Sequence, residues 1–168
     1  DKCGKTMGLN YPAGPEIDKL ASKGNPDTFI FPVPKVKNFD VSYSGVKTAF
    51  LNLLNNKISK NPNFIKENLN DLCASIQKTL VKIIIQKIEK AKKSLKINSI
   101  VIGGGVAANS EIRKVLKDKS LKDKWKVFLP PFQYTTDNAA MIGIVGYHAL
   151  KENKLGEMNQ SVDPRLAF

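Results

Sequence analysis

NSIVIGGGVAANSEIRKVL, residues 98–116, changes rhythm halfway along, and that change decides the fold class. The β-branched run 99–102 suits a short buried strand, and beyond the glycines Ile112, Val115 and Leu116 recur at helical spacing. Gly103, Gly104 and Gly105 carry no Cβ, so the main chain there can take positive φ and let a ligand approach closely. The first amides of the following helix have no partner within it and lie at the positive end of its dipole, which suits phosphate or another anion. Strand, glycine turn and helix in this order form nucleotide-site architecture. The stretch lacks both the Gly-Lys-Ser/Thr ending of a P-loop and the spaced glycines of a dinucleotide fingerprint. A tight strand-to-helix turn with no ligand is the alternative, and this stretch alone leaves both open.

Outward from it, the pattern repeats on both sides. Residues 126–130 predict a second short strand, and a last helix ends near Leu150, followed by a polar tail, 151–168. Upstream, residues 64–95 predict one long helix with Leu69, Leu72, Cys73, Ile76, Leu80, Ile83, Ile84, Ile88, Ala91 and Leu95 on its core face. A shorter helix is expected over 46–55, and another over 16–21, with Pro15 allowed at its first position. The runs 29–34 and 39–44 predict an antiparallel pair, with Pro32 and Pro34 placing the first at a sheet edge. Alternating strands and helices indicate an α/β layered fold in which a helical crossover joins parallel strands.

A chain of 168 residues supports one well-buried core, and 42% hydrophobic with 25% charged residues is the balance of a globular protein. No apolar run reaches the length of a membrane span, so no membrane association is expected. The first residues, DKCGKTMGLNYP, have no apolar signal region; they lack an initiator Met and begin inside a motif, which predicts a fragment or processed form. Cys3 and Cys73 are far apart in sequence and form neither a zinc motif nor a disulfide framework, and two free thiols fit a reducing cytoplasm. His148 is the one histidine, so a His-Glu-x-x-His protease site is excluded within these residues. The net charge of +12 favours an anionic partner, nucleic acid first. Much of that charge is helical lysine that also serves as a solvated face, and the only arginines are Arg113 and Arg165.

Two further clusters carry chemistry. Thr135, Thr136, Asp137 and Asn138 open the last helix; they read as an N-cap, or as a turn that aims the Asp137 carboxylate at a ligand and a metal. A lone carboxylate is a poor metal site, so any partners of Asp137 lie outside these residues. In YPAGPEID, residues 11–18, Gly14 can expose backbone amides while Asp18, one turn on, can accept bonds from ribose hydroxyls; a capped helix start explains the segment equally well.

Taken in order, NYPAGPEIDKLA, FDVSYSGVKTA, GGGVAANSEIR and TTDNAAMIG resemble the second half of the tRNA N6-adenosine threonylcarbamoyltransferase family, formerly called glycoprotease or O-sialoglycoprotein endopeptidase. The resemblance runs from Asp1 to about Leu150. It implies an α/β lobe of the actin, Hsp70 and sugar-kinase type (ribonuclease H-like), a mixed sheet packed with helices over 1–150, and a C-terminal tail over 151–168. It further implies transfer of a threonylcarbamoyl group from threonylcarbamoyl-AMP onto N6 of adenosine 37 in tRNAs that read codons beginning with A. A paralogous partner subunit and a small ATPase are implied as partners, in the cytoplasm. By the same resemblance Asp1, Gly14, Asp18, Gly104, Gly105 and Asn109 would contact the substrate or an ATP or AMP ligand. Asp137 would bind a divalent metal, iron or zinc, together with two histidines of a His-x-x-x-His motif. No residue is assigned a catalytic role.

Ala13 stands where the family has glycine, and the N-terminal lobe with its histidine pair has no counterpart here. These residues alone are therefore expected neither to hold metal tightly nor to catalyse transfer. Other readings are a sugar kinase or ATPase of the same superfamily, and a non-catalytic nucleotide-binding or assembly module. A metalloendopeptidase finds no nucleophile–base pair and no zinc motif to support it.

Overall fold

A computed structural model describes residues 1–162, and its order of elements is governed by one long helix. The helices are α1 (Lys2–Thr6), α2 (Ala13–Ala21), α3 (Ser44–Ile58), α4 (Phe64–Leu95), α5 (Ser110–Lys122) and α6 (Ala139–Lys151). The strands are β1 (Ser99–Val101) and β2 (Lys126–Phe128), and short 3-10 turns cover Gly105–Ala108 and Phe132–Tyr134.

The expected bounds of α4 are met, and its burial explains its length. The predicted stripe supplies Leu72, Cys73, Ile76 and Ile83 to one core, with Met7, Phe31, Val46, Phe50 and Leu54. Val81 and Ile85, on another side of the same helix, join Ile100, Ile112, Leu116 and Trp125 in a second core. A helix packed on opposite sides buries more than one stripe, so Ser75, Gln77 and Thr79 are buried as well. Thr79 Oγ1 meets the Ser75 carbonyl at 3.0 Å, and Ser75 Oγ receives the Phe29 amide at 3.1 Å.

β1 and β2 pair in parallel, with Ile100 opposite Val127 and Val101 opposite Phe128, and α5 is the crossover between them. The α/β class is thus present as a β–α–β unit, and among the described residues the sheet consists of these two parallel strands. Ile100 and Val127 pack under α4 and α5, while Val101 and Phe128 leave the other face open to solvent. Lys119 on α5 bridges Glu89 on α4 at 2.7 Å and Asp123 at 2.9 Å. Hydrogen bonds to Glu89, and then to Asp123, hold its ammonium above the ordinary lysine range.

One expectation fails: residues 29–34 and 39–44 form no strands. Pro32 and Pro34 have no amide hydrogen to give a ladder, and side chains of α4 take the place of a partner strand. The Phe29 amide goes to Ser75, and Lys87 Nζ donates to the Val36 carbonyl at 2.8 Å. Lys87 and Lys90 both reach the Asn38 carbonyl. Phe31 is buried against Phe50, ring centroids 5.5 Å apart, and anchors the segment without a sheet.

α2 begins three residues before the expected start, because Gly14 and Pro15 fall in its first turn, where no amide needs an intrahelical acceptor. α1 was not anticipated from the sequence. α6 is the outlier in packing: among its residues none is buried, and Ile142 and Val145 are 75% and 66% exposed. No helix of the described residues is long and apolar enough to cross a membrane. Of the tail, residues up to Val162 are largely without regular structure, and the portion from 163 lies outside the described residues.

Candidate functional site

Three helix starts converge on one cavity of about 600 Å³. Gly14 lies in the first turn of α2, Ser44 opens α3, and Asn109 caps α5, and all three line it. The positive ends of three dipoles border the same space, which favours an anionic group inside it. Ile17, Ile76, Leu80, Ile84 and Ile112 give the cavity an apolar floor, while Lys2, Lys47 and Thr48 are polar groups of its lining. An apolar cleft of this size with a few convergent polar groups fits a nucleotide-sized molecule.

Asp1 also lines the cavity, and its Oδ1 accepts the Ala13 amide at 2.8 Å, which fixes the entry to α2 beside Gly14. An added Cβ at Gly14 would meet no atom within 4 Å, so its lack of a side chain leaves cavity space open. Gly104 takes φ +79 and ψ 175, a conformation that only glycine adopts readily, and it turns the chain from β1 into the 3-10 turn. Gly104 and Gly105 lead into Val106, which lines the cavity.

Asn109 acts as cap and wall together. Its Oδ1 accepts the Ile112 amide at 2.9 Å, and its Nδ2 donates to Gln77 Oε1 at 2.9 Å and to Asp18 Oδ1 at 3.3 Å. Asp18 is turned into the wall. Its carboxylate receives Gln77 Nε2 at 2.9 Å, Ser110 Oγ at 2.8 Å and the Ser110 amide at 3.0 Å, besides Asn109. Four donors meet this carboxylate, three at Oδ1 and one at Oδ2. Asp18 therefore ties α2 to the start of α5.

Burial pushes the Cys3 thiol and the Tyr43 phenol up, so both cavity groups stay neutral at ordinary pH. Gln77, Tyr43, Ser44 and Lys47 were not singled out from the sequence. A glycine at residue 45 followed by a helix start was the available signal for Ser44 and Lys47; nothing local marks Gln77.

Asp137 lies outside this lining and is exposed. The cap of α6 is its neighbour Asn138, whose Oδ1 accepts the Met141 amide at 3.1 Å. Among the described residues no group of three or more metal-ligating side chains gathers. The side chains of the described residues do not fit an iron or zinc centre by themselves. Arg113 ties the turn that precedes α5 to the segment that follows β2. Its Nη1 and Nη2 donate to the Ala107 and Pro130 carbonyls, each at 2.7 Å, and its guanidinium lies 4.3 Å from the centre of the Phe132 ring.

Fold and site together define an α/β protein with a nucleotide-sized cavity built from helix starts. The sequence matches the family described as tRNA N6-adenosine threonylcarbamoyltransferase over residues 1–144. It is 48% identical over 168 residues to the protein of that name from Christiangramia forsetii, all of this chain and 49% of the relative. It is 49% identical over 148 residues to the one from Porphyromonas gingivalis, 88% of this chain and 43% of the relative. To the one from Thermosipho africanus it is 42% identical over 170 residues, 99% of this chain and 49% of the relative. The chain belongs to the tRNA N6-adenosine threonylcarbamoyltransferase family. It spans about half the length of the curated relatives it matches.

Proposed function

We propose that residues 1–150 are one lobe of a two-lobed, actin-like tRNA N6-adenosine threonylcarbamoyltransferase, and that the cavity holds the adenylate part of threonylcarbamoyl-AMP. The observation that carries this is the meeting of Asp1, Gly14 and Asn109, far apart in sequence, around one cavity bordered by three helix starts. In the transfer the N6 amine of adenosine 37 bonds to the threonylcarbamoyl carbon and gives up one proton to solvent, the carbon–phosphate-oxygen bond breaks, and AMP leaves with the electron pair. The helix dipoles and Lys47 would stabilise the phosphate charge that grows as AMP departs. Gly14, with open space above it, would admit the nucleotide against the backbone of α2.

The other participants are proposed on the same footing. A second lobe, of the length the relatives have beyond the match, would cover α6 and the open sheet face at Val101 and Phe128. Parallel sheets are ordinarily covered on both faces, which supports this reading. Asp137 would contribute one metal ligand, the remainder coming from outside these residues. The lysine surplus would guide tRNA through salt-sensitive phosphate contacts, in a cytoplasmic setting with a paralogous subunit and a small ATPase. Without the second lobe the chain would bind AMP weakly and transfer nothing.

Titrating the chain with AMP, followed by NMR, tests the site. Shifts are expected at Gly14, Asn109 and Ile112. Gly14→Val, whose Cβ would meet no atom within 4 Å, is expected to abolish them while leaving the thermal midpoint within a few degrees. AMP shifts that map elsewhere, or that survive Gly14→Val unchanged, would refute the assignment.

A further inference from the structure

α1 and α3 carry no acidic residue, and where the two helices pack together three lysines surround a second, smaller pocket. Lys2 and Lys5, one turn apart on α1, and Lys47 on α3 line it with Cys3, Thr6 and Leu51. Its volume is about 170 Å³, which suits one small charged group rather than a nucleoside. The two cavities adjoin: Lys2, Cys3 and Lys47 line both, whereas Lys5 and Thr6 line the smaller alone. Several other lysines have carboxylates to meet, Lys78 with Asp27, Lys114 with Glu111, and Lys119 with Glu89 and Asp123. Lys2, Lys5 and Lys47 form no ion pair among the described residues. Asp1, which precedes them, turns its Oδ1 to the Ala13 amide instead. Burial raises the Cys3 thiol and the Lys47 ammonium works against that rise, so its field reaches the pocket lining. Three like charges around one pocket repel one another, and an anion among them relieves the repulsion.

We propose that this pocket is a subsite for one phosphodiester of the RNA strand whose adenosine comes to the larger cavity, with Lys2, Lys5 and Lys47 as its contacts. The inference rests on the proposed function and adds to it the place where the strand's backbone is held. A nucleoside delivered to a cavity brings its flanking phosphates to the rim, and the smaller pocket adjoins that rim. All three lysines are exposed, so a polymer reaches them from solvent. A lysine ammonium is a compact charge on a flexible stem, which holds a phosphate without reading the base beside it. The carboxylate of a small acyl group is the competing occupant.

Two probes added to the 168-residue chain and followed by NMR separate these occupants. A short oligouridylate offers phosphodiesters without adenine, and N-carbamoylthreonine offers the carboxylate alone. The oligouridylate is expected to shift the amides of Lys2, Cys3, Lys5 and Thr6. Fluorescence anisotropy with the same strand, labelled, gives the salt dependence of its affinity. Lys5→Gln, at the lysine that lines only the smaller pocket, is expected to weaken binding several-fold. It should also lower the salt slope by about 0.7, the share of one phosphate on a single strand. Lys117→Gln, at an exposed lysine of α5 outside both cavities, should leave the affinity within about twofold. AMP shifts at Gly14 and Asn109 should persist in Lys5→Gln. Equal losses in the two variants would mean diffuse attraction and overturn the subsite while sparing the nucleotide reading. So would a wild type that binds no oligouridylate, or shifts at Lys5 and Thr6 with N-carbamoylthreonine and none with the strand. A wild type in which AMP shifts neither Gly14 nor Asn109 overturns the nucleotide reading and this inference with it.

Discussion

Gly104 and Gly24 are glycines for different reasons. At Gly104, φ +79 with ψ 175 is a conformation that side chains resist, although a Cβ would meet no neighbour. Gly24 has an ordinary backbone, but a Cβ there would lie 2.1 Å from the Asn70 carbonyl oxygen of α4. Alanine is expected to cost about 1–3 kcal/mol at either position, through backbone strain at Gly104 and overpacking at Gly24. Urea denaturation reads both costs, and only Gly104→Ala should also disturb the resonances of Val106 and Asn109. Cys73 gives a second test at this scale. Burial first, and the nearby Glu16 charge second, push its thiol up to about 11. Its folded pKa is thus raised above the value in the unfolded chain. The stability it confers is complete below the ordinary thiol range and is lost as pH rises from about 9 towards 11. Cys73→Ala is expected to flatten that part of the stability–pH curve. Gln77 shows why part of the wall escaped sequence reading: its partners Asp18 and Asn109 lie 59 and 32 residues away. Nothing in the local pattern of α4 distinguishes it from a residue on the wet side.

Among the elements, α4, α5 and the two strands were legible because each has a period, and burial follows that period at Leu72, Ile76, Ile112 and Leu116. Residues 29–34 and 39–44 were misread as strands for a physical reason. Their extended, apolar character is real, but the Phe29 amide and the Val36 and Asn38 carbonyls bond Ser75, Lys87 and Lys90 of a helix that no local rule connects to them. α6 has the opposite character: its sequence reads as a helix meant for burial, with Met141, Ile142, Ile144 and Val145 all exposed. An isolated helix of 13 residues is marginal in water without such packing. Its amides are therefore expected to exchange with solvent far faster than those of the buried middle of α4. Hydrogen exchange on the 168-residue chain measures this directly, and equal protection of the two helices would show that α6 needs no covering partner.

For the whole molecule, α4 is 32 residues long with a kink at Asn68 (φ −118, ψ 16), and both cores are built on the helix beyond that kink. The first grips it at Leu72, Cys73 and Ile76; the second grips it at Val81 and Ile85. Two probes sit at the two grips: Cys73 in the first core and Trp125, the sole tryptophan, in the second. Tryptophan fluorescence and thiol labelling during urea denaturation are expected to give one shared midpoint, since neither core can release its share of the helix alone. Two separated midpoints would mean that the two ends of α4 melt independently.

The same axle gives the cavity a mechanical character. Ile76 and Gln77 sit on it close to the first grip, and Leu80, Val81 and Ile84 continue along it towards the second. Whatever occupies the cleft therefore rests on the stretch of helix that spans the distance between the two cores.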